Sequence, residues 1–143
     1  MFLLDTNVVS ELRKAGSGRA YPNVKAWAAS MSAGSLYISA ITVLELELGV
    51  LQLERRDATQ GTVLRSWMAA HVMPAFAGRV LPVDSAVALR CAQLHMPNRR
   101  PERDCLIAAT ALVHVMTVVT RNVADFQGTG VSLVDPWQWS RTT

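Results

Sequence analysis

Four carboxylates lie far apart in the chain, each beside an apolar run: Asp5 after Phe2-Leu3-Leu4, Glu45 after Val43-Leu44, Asp104 before Cys105-Leu106-Ile107, and Asp125 after Val123-Ala124. Taken singly, each has a plain structural reading, because acids in first helical turns pair with free N–H groups and the helix dipole. Glu45 also stands three residues after Thr42, the spacing of a capping box. Taken together they suggest chemistry. Carboxylates gathered in one partly buried cleft repel one another and hold their protons unless cations neutralise them. Hard divalent ions do so with oxygen ligands, and Mg²⁺ keeps waters and room for substrate phosphate. One or two Mg²⁺ or Mn²⁺ ions would suit phosphodiester hydrolysis: an ion activates the attacking water and offsets charge on the phosphate and leaving oxygen. No serine or cysteine triad competes for the role.

The elements that would position these acids follow from periodicity. Phe2-Leu3-Leu4 reads as a buried strand, and Val8 to Arg13 as helical turns stopped by Ala15-Gly16-Ser17-Gly18. Pro22 or Asn23 opens a second helix that Gly34 ends, Leu36 to Ser39 is a second strand, and Thr42 is expected to cap the next helix. A helical hairpin then runs from Val43 through the join Arg55-Arg56-Asp57 to Val72, with an apolar stripe that suits either a core or a dimer face. Val80 to Val83 reads as a strand, Asp84 as the cap of a helix to Leu94, Glu102 as the start of a helix to Leu112, and Thr117 to Thr120 as a β-branched strand. Pro136-Trp137 closes the fold as an aromatic plug. Strands alternating with helices predict a three-layer α/β/α sandwich around a mainly parallel sheet, as one domain over residues 1–143. Sites in such folds form at the carboxyl ends of the strands. The first turns after those strands hold Asp5 and Glu45, a later first turn holds Asp104, and Asn122 and Asp125 follow the last strong strand.

Half of the 143 residues are hydrophobic, enough for a sizeable core without a disulfide framework. Cys91 and Cys105 lack zinc-knuckle spacing, and a reducing cytoplasm is the expected compartment. The opening residues predict no secretory leader, and no apolar run approaches the roughly 20 residues of a membrane span. A formal charge of +3 is compatible with a polyanionic partner, and Arg supplies twelve of the fourteen basic residues. Guanidinium pairs phosphate oxygens bidentately.

Several neighbours are candidates to support the acids or contact a polyanion. Thr6 and Asn7 either hydrogen-bond the metal ligands or cap the first helix, and Thr120 and Glu11 are further candidates for supporting roles. Arg103 and Arg121, with Arg99 and Arg100, either grip the phosphates of a polyanion or form a solvated basic rim. Glu47 lies on another helix face from Glu45. His71, His95 and His114 sit on different segments, and no ligand role is expected of them. Trp27, Trp67 and Trp137 read as core or dimer contacts, and Cys105 as a packing residue.

The segments MFLLDTNVVSEL, SAITVLELELGVL, RDCLIAATAL and VVTRNVADF, in this order and with the closing DPW, resemble the PIN-domain family, in particular its VapC and FitB-like toxins. The resemblance spans nearly the whole chain and maps the family's first three acids onto Asp5, Glu45 and Asp104. It departs at the fourth, where Asn122 follows Thr120-Arg121 in place of an acid. Either Asn122 offers a neutral oxygen to the metal, or Asp125, three residues on, completes the catalytic set. The resemblance implies a Mg²⁺- or Mn²⁺-dependent endoribonuclease toxin, cytoplasmic and homodimeric. It further implies inhibition by a small VapB- or FitA-like antitoxin that carries the DNA-binding domain. The alternative is a PIN fold with impaired catalysis that serves only as a subunit of an antitoxin–repressor complex. A flap-type DNA nuclease, with similar metal chemistry, needs a longer chain with DNA-gripping elements.

Overall fold

A computed structural model of the chain describes residues 1–141. Its strands are β1 (Phe2–Leu4), β2 (Leu36–Ser39), β3 (Val80–Leu81), β4 (Thr117–Val119) and β5 (Leu133–Val134). They form one sheet in the order β3-β2-β1-β4-β5, with every pairing parallel. The helices are α1 (Thr6–Arg13), α2 (Pro22–Ser30), α3 (Ala40–Arg56), α4 (Ala58–Trp67), the short α5 (Met73–Ala75), α6 (Ser85–Leu94) and α7 (Glu102–His114). A π-helical turn, Met68–Val72, joins α4 to α5.

Alternation along the strands makes the three layers. Leu3 and Val118 face a cluster with Ile107, Ala108 and Ala111 of α7, while Leu4, Val119 and Ile38 face Val8, Trp27, Leu46 and Val50 of the opposite helical layer. A strand buried on both faces must be apolar at successive positions, and Phe2-Leu3-Leu4 and Val118-Val119 are. Trp27 is fully buried, edge-on to Phe2, and Trp137 joins the same cluster. No helix among the described residues is long and apolar enough to cross a membrane.

Several boundaries differ from the periodicity-based expectation. Ser39, not Thr42, caps α3: its hydroxyl accepts from Ile41 N–H at 3.0 Å. Glu45 therefore lies in the second turn, and the capping-box reading of it fails. Gly34 sits in a separate 3₁₀ turn, after α2 has ended at Ser30. The third strand stops at Leu81 because Pro82 cannot donate to a ladder. Strand β5, Leu133–Val134, is too short for periodicity to announce it. In the helical hairpin α3 and α4 pack so closely at Gly61 that an added Cβ would lie 2.5 Å from Glu54 Cα. Arg65 of α4 fixes the pair by bonding both Glu47 (2.6 Å) and Glu54 (3.2 Å) of α3.

Candidate active site

The parallel order brings the carboxyl ends of β1, β2 and β4 side by side, and the acids collect at that edge. Asp5 follows β1 directly and caps α1, accepting from Thr6 N–H at 2.8 Å through Oδ1. Its second oxygen faces the cleft and accepts from the Thr120 hydroxyl at 2.8 Å and from Asn7 Nδ2 at 3.2 Å. Thr120 is fully buried at the end of β4 and also accepts from Asn122 N–H at 3.0 Å. Asn7 completes the link between β1 and β4 by accepting from Arg121 N–H at 3.2 Å. Thr6 reaches the other way: its hydroxyl donates to Glu45 Oε1 at 2.6 Å and lies 3.1 Å from Thr42 Oγ1. With one proton to give, Thr6 spends it on the carboxylate, so Thr42 is placed to donate to Thr6. Thr6 and Asn7 thus orient acids instead of capping α1.

Asp104 enters from the first turn of α7. Its carboxyl is pushed up to about 6, first by burial and then by the charges of Asp5, Asp125 and Glu45. Asp5 is raised as well, mainly by burial, with Glu45 and Asp125 adding to it and the bonds from Thr120 and Thr6 opposing. Four carboxylates therefore act on one another in one cleft. Asp125, in the 3₁₀ turn Val123–Phe126, belongs to this group. Asn122 precedes that turn, is solvent-exposed, and contributes its backbone to Thr120.

The remaining candidates are placed differently. Arg103 spans from α7 to Glu45 at 3.7 Å, a cation at the cleft mouth. Arg121 stacks over the Trp137 ring with its guanidinium carbon 5.2 Å from the centroid. Glu11 is turned to the start of α2, accepting from Tyr21 N–H at 2.9 Å and pairing with Lys14 at 3.2 Å, and these bonds hold its carboxyl below the usual range. Arg100 is bound to the Leu94 and Gln127 carbonyls, which makes it a loop tether. Arg99 is exposed in the same loop.

Sequence reading missed one cluster. Cys91, His95 and Cys105 present ligand atoms that lie within 4.8 Å of one another. The spread of the histidines along the chain predicts no ligand role, yet Cys91 and His95, i and i+4 at the carboxyl end of α6, meet α7 once the two helices pack. The Cys-x₃-His spacing on one helix was the available signal.

An oxygen-only donor set in which burial and neighbouring carboxylates raise Asp5 and Asp104 fits a hard divalent cation: binding one would offset the repulsion that adds to the burial of Asp104.

Known proteins share this architecture. The PIN domain family profile matches residues 2–129. Toxin FitB of Neisseria gonorrhoeae is 40% identical, covering 96% of this chain and 99% of its own, and VapC ribonuclease Y4jK of Sinorhizobium fredii is 37% identical with the same coverages. A chain in the structure of FitAB bound to an IR36 DNA fragment superposes with a TM-score of 0.87 at 37% identity, covering 100% of both chains.

Proposed function

We propose, from the premise that the chain belongs to the PIN domain family, that it is the endoribonuclease toxin of a toxin–antitoxin pair, dependent on Mg²⁺ or Mn²⁺. The observation that carries the nuclease reading is the mutual action of Asp5, Glu45, Asp104 and Asp125 in one cleft. Asp5, Glu45 and Asp104 would hold the ion, with Asp125 taking the fourth acidic place that Asn122 leaves. When bound, the ion supplies a water of lowered pKa and a positive charge opposite the scissile phosphate. The chain's own residues do the orienting. Thr120 and Asn7 fix one Asp5 oxygen, Thr6 fixes Glu45, and Arg103, half-exposed beside Glu45 at the cleft mouth, would pair with a substrate phosphate. Inhibition of translation follows from RNA cleavage.

Partners follow from the same kinship. Relatives at 37–40% identity are named as a VapC ribonuclease and the toxin FitB, and a FitAB complex is bound to DNA. A small FitA- or VapB-like antitoxin is the proposed inhibitor and the carrier of DNA contacts, on a homodimer of this chain. The second reading, a catalytically impaired subunit of a repressor complex, rests on Asn122; the proximity of Asp125 to Asp5 and Asp104 favours the nuclease.

The test is cleavage of a mixed RNA pool by purified protein with Mg²⁺, with chelator, and as Asp5→Asn. Activity should need the metal and fall by at least about a hundredfold in the variant, the scale of losing a catalytic charge interaction. Equal activity of Asp5→Asn and wild type would sink the proposal.

A further inference from the structure

The packing of α6 on α7 through Val87, Cys91, Cys105 and Ala109 creates a second donor set, chemically unlike the acidic cleft. Cys91 of α6 and His95, the residue that caps its carboxyl end, stand one turn apart, and Glu102 and Cys105 three residues apart at the start of α7. Both spacings put side chains on one helix face. Cys91 Sγ is 3.7 Å from His95 Nε2, His95 Nε2 is 3.5 Å from Glu102 Oε2, and Cys91 Sγ is 4.0 Å from Glu102 Oε1. The Cys105 sulfur lies within 4.8 Å of the cysteine and histidine donors. Bond lengths of about 2.3 Å to sulfur and 2.0–2.2 Å to nitrogen or oxygen give a tetrahedral zinc site edges of roughly 3.3–3.8 Å. Cys91, His95 and Glu102 already stand near those edges, and the Cys105 sulfur, within 4.8 Å of the first two, closes the set with a small inward shift. From this geometry we infer that Cys91, His95, Cys105 and Glu102 form a structural Zn²⁺ site that clamps α6 to α7.

The donor chemistry selects the ion. Two sulfurs and an imidazole favour Zn²⁺ over the Mg²⁺ that suits the oxygen donors of the cleft. Both cysteines are buried, while Glu102 is exposed at the rim and gives an ion its way in. Binding also has a defined proton cost. His95 Nδ1 accepts from Arg100 N–H at 3.1 Å, so neutral His95 carries its proton on Nε2. Zinc takes the place of that proton, the imidazole keeps its one proton on Nδ1 instead, and the Arg100 amide loses its acceptor. The two thiols release their protons as well. Cys105 adjoins Asp104, so the clamp holds the helical turn that delivers an acid to the cleft.

The full chain, purified reduced and metal-free with Mg²⁺ in excess to occupy the cleft, is titrated with Co²⁺ as the spectroscopic probe. A thiolate-to-cobalt charge-transfer band should grow to one equivalent, disappear on adding Zn²⁺, and persist in Asp5→Asn. His95→Gln, at the half-buried edge, should weaken Zn²⁺ binding at least about tenfold with an unchanged far-ultraviolet circular dichroism spectrum. Zn²⁺ should also shift the backbone amide resonance of Arg100. A folded wild type that gives no charge-transfer band at one equivalent of Co²⁺ overturns the site. So does a band of equal strength in both Cys91→Ser and Cys105→Ser.

Discussion

Asp5 does two jobs that are separable by atom. One carboxylate oxygen caps α1 and the other takes a hydroxyl and an amide inside the cleft, so its position is fixed before any ligand binds. Asp104 has no such bonds among the described residues to hold its charge, and its carboxyl is pushed up to about 6 from an ordinary 3.8. Between roughly pH 4 and 6 the folded chain therefore binds more protons than the unfolded chain, and stability falls as pH rises. The favourable contribution of Asp104 is complete below about pH 4 and gone above about pH 6; raised Asp5 acts with the same sign, and Glu11, held low, with the opposite one. Asp104→Asn should flatten this descent and stabilise the metal-free protein at pH 7 by on the order of 1 kcal/mol, allowing for solvent screening. Urea unfolding at pH 4, 5, 6 and 7 measures it; a parallel profile in the variant would contradict the assignment.

Among the elements, α7 carries the most: Asp104 at its start, the cysteine facing α6, and Ile107, Ala108 and Ala111 against the sheet. It ends on a strained residue. Val115 sits in the left-handed region (φ 55°, ψ 51°) and is 90% exposed, while Met116 N–H closes the helix onto Ala111 O at 2.8 Å. A β-branched side chain there costs what glycine does not, and no packing is lost on its removal. Val115→Gly should stabilise the protein by about 0.5–1 kcal/mol, less than the full strain because glycine also loosens the unfolded chain. Denaturant midpoints with an unchanged m-value would establish it. The elements were largely legible in the sequence: β1, β2, α2 and α7 follow from apolar period, proline placement and β-branched runs. Ser39 as the α3 cap was not, because Thr42 offered the same chemistry three residues later and only the end of β2 decides between them.

At the scale of the molecule, repulsion in the cleft means the metal-free fold is held against its own charges. A cation that binds the folded chain alone adds RT ln(1 + [L]/Kd), about 2.7 kcal/mol at a hundredfold excess over Kd. Mg²⁺ should raise Tm more at pH 7.5 than at pH 5, where protons compete for Asp104, and Asp5→Asn should remove most of the rise. Calorimetry in each condition decides this; an equal rise in variant and wild type would place the ion elsewhere.

By itself the sequence determined what depends on local order: alternation of strand and helix, apolar runs buried on both faces, and acids beside strand ends and in helical turns. The layered parallel fold follows from these because βαβ connections leave few alternatives. Tertiary structure alone decided which groups meet. Thr6 on Glu45, Thr120 on Asp5, Asp125 near enough to Asp5 to raise it, and Cys91 with His95 beside Cys105 each join residues from different elements. Their distances are set by strand order and helix packing, which no spacing along the chain records.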